Sequence, residues 1–184
     1  MVRLGKKRME NVRFACCSAG PQLGCDKGES MKLRIRGIST GDCARIWSGG
    51  VDANGHPALT RAAEGPANPC RHCLRLIREG DSKLVLAYRP FDTLHPYAET
   101  GPIFLHATPC DRYESEAVPA WFDYLEPAIV RGYGQDHWIR YDTANVVRGK
   151  EITRACETIL KDVGVAYVHV RSKYNCFQCR VDRG

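Results

Sequence analysis

Six residues in two short stretches carry most of the chemistry open to this chain. Residues 68–77 read NPCRHCLRLI and place Cys70, Arg71, His72 and Cys73 side by side. Residues 175–181 read NCFQCRV and place Cys176 and Cys179 three apart. A Cys-x-x-Cys chelates a metal or cycles between thiol and disulfide only when both sulfurs turn the same way, in a turn or a first helical turn. In a strand, positions three apart point to opposite faces. After Cys73 the chain reads LRLIREGDSKLVLAY. That pattern predicts a hairpin, 73–77 against 83–88, closed by Glu79-Gly80-Asp81-Ser82. It lacks the helix a thioredoxin-like dithiol needs, and a strand would send Cys70 and Cys73 apart. No second CxxC and no HxxxH stands at a zinc-finger spacing. Zinc held by Cys70, Cys73 and His72 or His169 is therefore the lesser alternative, and no metal ligand set is expected.

The second pair divides in the same way. With 176–182 as a strand, Cys179 shares a face with Phe177 and Val181, a core position. Cys176 shares a face with Gln178, Arg180 and Asp182, next to a turn. In the preceding strand, 165–171, Tyr167, His169 and Arg171 share one face. A hairpin between these strands brings Cys176 near His169 and Arg171. A thiol beside an imidazole and a guanidinium is more acidic and more nucleophilic. The expected site is thus catalytic Cys70, Cys176 and His169, with Arg71, Arg171 and Tyr167 binding a small anionic molecule; guanidinium groups suit carboxylate and phosphate. His106, in IFLHA, is a weaker candidate. The competing reading is a non-catalytic structural or interaction module in which the same residues pack.

These residues need elements to position them. Leu33, Ile35 and Gly37 alternate with basic residues in a first strand. Residues 42–48 form a helical turn and 49–69 a loop. Strands are predicted at 103–107, 128–133 and 137–142, and a short helix at 119–125. Lys150–Val163 is the main amphipathic helix, ended by Gly164. The class is α+β, with a largely antiparallel sheet of hairpins. Residues 1–30 mix Gly, Ser, Pro, Cys and basic residues without a period. They read as a disordered leader or a mis-assigned start, with one domain over 31–184.

Composition narrows the partners. The net charge is +6, half of it in residues 1–30. The remainder is too mild and too scattered for a nucleic-acid surface. No run of about 18 apolar residues occurs, so no membrane partner is expected. Ten cysteines without a signal-peptide core point to a cytoplasmic chain with reduced thiols. P-loop, GxGxxG, HExxH and GxSxG motifs are absent, and no cofactor is expected.

Pro69-Cys70-Arg71, Gly101-Pro102-Ile103-Phe104, Arg131-Gly132-Tyr133, Ala166–Arg171 and Cys176-Phe177 occur in an order that resembles the bacterial domain-of-unknown-function family 1203, over about Met31 to Arg183. The resemblance implies no activity. It singles out Cys70, Arg71 and Cys176 among the candidates. Asn175 stands where the family carries a glycine, in a position that tolerates a left-handed turn.

Overall fold

Residues 31–184 are described by a computed structural model of the chain; the leader expected over 1–30 lies outside them. Nine strands form two antiparallel sheets among these residues. The larger sheet has six strands in the order β5-β1-β9-β8-β6-β7. These are Glu114–Ser115, Leu33–Arg36, Phe177–Arg183, Tyr167–Ser172, Ala128–Tyr133 and Asn145–Val147. The smaller has β2-β3-β4, Leu59–Ala62, Ser82–Tyr88 and Gly101–His106. Helix α1 spans Thr40–Trp47 and α2 spans Ile152–Leu160. The fold is α+β and antiparallel, as the alternation implied, with the strands divided between two sheets.

Each sheet has its own core. One face of the larger sheet packs Leu33, Ile35, Val130, Val168, Val170, Cys179 and Val181 against Ile152, Cys156 and Leu160 of α2. The smaller sheet packs Leu86, Ile103 and Leu105 against Cys43 and Ile46 of α1 and against Cys70, Cys73 and Ile77. This division overturns the hairpin expected at 73–77. Leu74 belongs to the first core and Ile77 to the second. Apolar spacing that looks like one strand face is a linker feeding two cores. Strand β3 pairs with β2 and β4 instead, and residues 71–73 form a turn.

Other expectations move for local reasons. Residues 137–142 do not form a strand. His137 takes φ 63° in a tight turn after β6, and the strand that pairs back on β6 is β7. The loop expected over 49–69 contains β2. In the β8–β9 hairpin, Asn175 takes φ 65°, as its place in the turn suggested. A register shift at Val170/Arg171 sets Phe177 beside His169, ring centroids 4.9 Å apart. Phe177 thereby joins the second core while Cys179 stays in the first.

Helix α2 is shorter than its apolar period implied. Val163 is 96% exposed and contributes nothing to burial. Arg183 explains the stop. Its guanidinium donates to the carbonyls of Leu160 (3.0 and 2.7 Å), Asp162 (2.8 Å) and Val165 (2.8 Å). It thereby satisfies carbonyls left open at the helix end and adds charge favourable to the dipole. Replacing Arg183 with Met should cost about 1–3 kcal/mol, since bonds from a charged donor are lost together. Thermal unfolding followed by circular dichroism should show a drop of several degrees; an unchanged melting temperature would refute the capping role.

Candidate metal centre and adjoining cleft

The turn after Pro69 brings together what a strand would have separated. The Cys70 N–H donates to the Arg75 carbonyl (2.9 Å), and the Arg71 N–H donates to the Phe104 carbonyl (2.9 Å). Leu74 then adopts φ 51° and reverses the chain. The backbone of Arg71-His72 is gripped from the far side as well. Ile38 N–H donates to the Arg71 carbonyl (2.8 Å), and Tyr113 N–H to the His72 carbonyl (2.9 Å). Cys70 and Cys73 therefore point into one space, at the end of β4 and beside the loop after it.

Two residues from that region complete a cluster. The sulfurs of Cys70, Cys73 and Cys110 and a ring nitrogen of His106 all lie within 4.8 Å of one another. Cys70 Sγ is 3.9 Å from Cys110 Sγ, and Cys73 Sγ is 3.5 Å from His106 Nδ1. Tetrahedral zinc, with bonds of about 2.3 Å to sulfur and about 2.0 Å to nitrogen, requires edges of about 3.8 Å and about 3.5 Å. The His106 N–H also donates to Cys70 Sγ (3.4 Å). His72 supplies no fourth ligand. Its Nδ1 lies 3.4 Å from Cys110 Sγ and its Nε2 3.1 Å from Thr40 Oγ1, so it orients Cys110 from outside the cluster.

The thiols are crowded enough to perturb one another. Hydrogen bonds from Cys70, then from the backbone and side chain of Arg75, pull the Cys73 thiol below its ordinary value against the effect of burial. The Cys70 thiol is raised, first by that same hydrogen bond and then by burial. Cys110 is raised by burial and by the charge on Cys73. A divalent cation at the centre of the cluster would favour the ionised form of all three thiols.

The remaining candidates occupy other places. Arg71, 4% exposed, donates to the carbonyls of Phe177 and Pro69. It lines a cleft of about 820 Å³ whose wall also includes Cys176, Phe104, Trp121 and Gln178. Cys176 is half-buried and additionally lines a pocket of about 160 Å³ with Arg171 and Glu99. Arg171 pairs with Glu99 at 2.9 Å and donates to the Asn175 carbonyl (3.0 Å). His169 and Tyr167 line neither space. The face they share, open in a bare sheet, is covered by Phe91, whose ring centroid lies 5.3 Å from that of His169. Burial, then the positive charges of Arg171, Arg180 and Arg131, hold the His169 imidazole far below its ordinary range and keep it neutral. Tyr167 stacks on Tyr133 and sits under the Arg180 guanidinium.

Arg71 and Cys176 thus share one cleft, Arg171 and Cys176 a second pocket, while Cys70 faces the cluster and not the cleft. The residues that spacing alone did not assemble are Cys110, at the end of HATPC, and His106. His-x-x-x-Cys, set beyond a Cys-x-x-Cys, was the available signal.

No curated protein and no solved structure matches the chain. The family model described as "Protein of unknown function (DUF1203)" matches residues 67–183. That stretch includes all four cluster residues and every residue of the cleft except Pro66, and leaves β1, α1 and β2 outside it. The chain belongs to this family of proteins of unknown function.

Proposed function

We propose that the chain is a zinc-binding domain, with Cys70, Cys73, His106 and Cys110 as ligands. One observation carries the reading: four ligating atoms lie within 4.8 Å of one another, and two of their separations, 3.9 Å between Cys70 and Cys110 and 3.5 Å between Cys73 and His106, are those of tetrahedron edges around one zinc ion. Three soft thiolates and one imidazole suit zinc better than magnesium, calcium or manganese, which favour oxygen donors. Four protein ligands leave no open position for water or substrate, the arrangement of a structural centre and not of a hydrolytic one. Cys70 and Cys73 are buried and His106 and Cys110 half-buried, which excludes solvent from most of the coordination sphere.

The centre would tie the 70–73 turn to the end of β4 and to the loop bearing Cys110. Those segments already meet through the backbone bonds of Arg71 with Phe104 and of Tyr113 with His72, which the metal would reinforce. This role also assigns Cys70 to the metal and removes it from the set of free nucleophiles.

Elemental analysis of protein purified without chelator should find close to one zinc per chain. Cobalt substitution should give the intense visible bands of tetrahedral thiolate coordination. Metal absent from protein grown and purified in zinc-supplemented medium would overturn the proposal, as would retention of full occupancy after Cys110→Ser.

A further inference from the structure

We propose that the cleft beside the metal centre binds a small organic acid with an apolar body and a hydroxyl or N–H group. The cleft's volume, about 820 Å³, lies within the range of small-molecule sites, about 300–1,000 Å³. Its walls are mostly apolar, with Phe104, Trp121 and Leu125 among them. Trp121 is fixed in place, its indole N–H donating to the Leu74 carbonyl (2.6 Å). Such walls take an apolar body, and the polar groups among them define the rest of the ligand.

Three polar groups lack the partners a finished core would give them. Arg71 is a buried guanidinium whose hydrogen bonds go only to carbonyls, through Nε and Nη1. No carboxylate among the described residues meets it. Its Nη2 makes no hydrogen bond there and is not among the sealed, unpartnered atoms. Gln178 is 2% exposed; its Nε2 donates to the Cys176 carbonyl (3.0 Å), while Oε1 is buried without a partner. Ser172 Oγ is likewise buried without one. All three residues line the cleft.

Buried polar groups are ordinarily satisfied, and a buried cation without an anion is costly. A carboxylate on Arg71 Nη2 would supply the missing anion, and a ligand donor would satisfy Gln178 Oε1 once a small rotation of that side chain opens it to the cleft. The thiolate charge of a zinc centre lies on the Cys70 side of the turn. It offsets part of the Arg71 charge through space but makes no bond to Nη2. The charged residues of the wall are Arg71, Lys173 and Glu126, an excess of one positive charge, so the field in the cleft also favours an acid. A peptide or protein surface would lie across the rim; it would not reach Gln178, which sits almost wholly beneath the surface.

The test uses the full-length protein, ¹⁵N-labelled, titrated with 3-phenyllactate, indole-3-acetate and octanoate, each against its neutral amide. At least one of the two acids that carry a donor, 3-phenyllactate or indole-3-acetate, should shift the Trp121 indole and Gln178 amide signals saturably, with a dissociation constant at or below the millimolar range. It should bind more tightly than octanoate, which has no donor. Its amide should bind at least tenfold more weakly. Arg71→Gln should abolish that acid-over-amide preference while weak apolar binding persists. Gln178→Glu, nearly isosteric, should repel the acid by the charge it adds. Metal content and spectral dispersion of each variant report folding separately, so failure of the zinc reading would leave this titration interpretable. Equal binding of acid and amide would overturn the proposal. So would shifts confined to surface residues, or no shift with any acid at about 10 mM, a concentration well above the weakest specific affinities.

Discussion

Cys73→Ser should release the metal and lower the melting temperature by about 6–20 °C. Serine removes the ligand but nearly keeps the volume, so the loss reports coordination and not a cavity. Structural zinc contributes about 10–16 kcal/mol to folding in finger peptides that have no core of their own. Here two apolar cores remain, so the domain should stay folded while the 70–73 turn and the Cys110 loop lose their anchor. A loss of about 3–5 kcal/mol is expected, and for a domain of this size each kcal/mol is worth about 2–4 °C. A chelator added to the wild-type protein should reproduce most of that drop, and zinc should reverse it. The variant should not respond to either. If wild type and Cys73→Ser melt together with equal zinc content, the ligand assignment is wrong. If chelator leaves the wild-type melting temperature unchanged while zinc is demonstrably removed, the centre is not structural.

The strands that position this centre were legible in the sequence wherever one face is buried and the other is not. Alternation in Leu33–Arg36 marked the correct core face, because a period of two survives when a single core enforces it; in Tyr167–Arg171 it set Val168 and Val170 apart from the polar residues although both faces are buried. The stretch after Cys73 defeated the same rule. Leu74 and Ile77 serve different cores, so their spacing carries no strand information. The error propagated into chemistry: a strand would separate Cys70 and Cys73, whereas the turn with Leu74 at positive φ aims both sulfurs inward. His106 and Cys110 come from the end of β4 and the loop after it. The bridge between Cys70 and Phe104 of β4, with the Arg71 N–H donating to the Phe104 carbonyl, brings them near, a contact between residues more than thirty positions apart that local pattern does not encode.

The Tyr167, His169 and Arg171 face shows the converse. Its composition was readable, its covering was not. Phe91 lies in a segment rich in Pro, Asp and Thr that reads as a loop over solvent, yet it closes over His169 and Tyr133. Burial and the nearby arginines then fix the imidazole as neutral. The family resemblance selected Cys70, Arg71 and Cys176, and the structure divides that set: Cys70 turns to the cluster, while the other two line the cleft.

Gly37→Ala should cripple the same centre without touching a ligand. A Cβ on Gly37 would stand 2.0 Å from the His72 carbonyl oxygen, 2.8 Å from its carbon and 2.9 Å from the Arg71 carbonyl oxygen. These are backbone atoms, and no rotamer change relieves the overlap. The backbone at 37–38 is also tied down, because the Gly37 N–H donates to the Tyr113 carbonyl (3.0 Å) and the Ile38 N–H to that of Arg71 (2.8 Å). Arg112 further holds the Gly37 carbonyl through two bonds, 3.0 and 2.9 Å. One methyl group must therefore push the Arg71-His72 peptide away from β1, and Cys70 and Cys73 flank that peptide. The expected cost is about 3 kcal/mol or more, at the upper end for overpacking. Its signature distinguishes it from a general loss of stability. Zinc affinity, measured by competition with a chromogenic chelator, should fall at least tenfold in Gly37→Ala. It should stay near wild type in Arg183→Met, which weakens the fold at the far end of α2. Equal zinc affinity in the two variants would show that the turn's position against β1 does not govern metal binding.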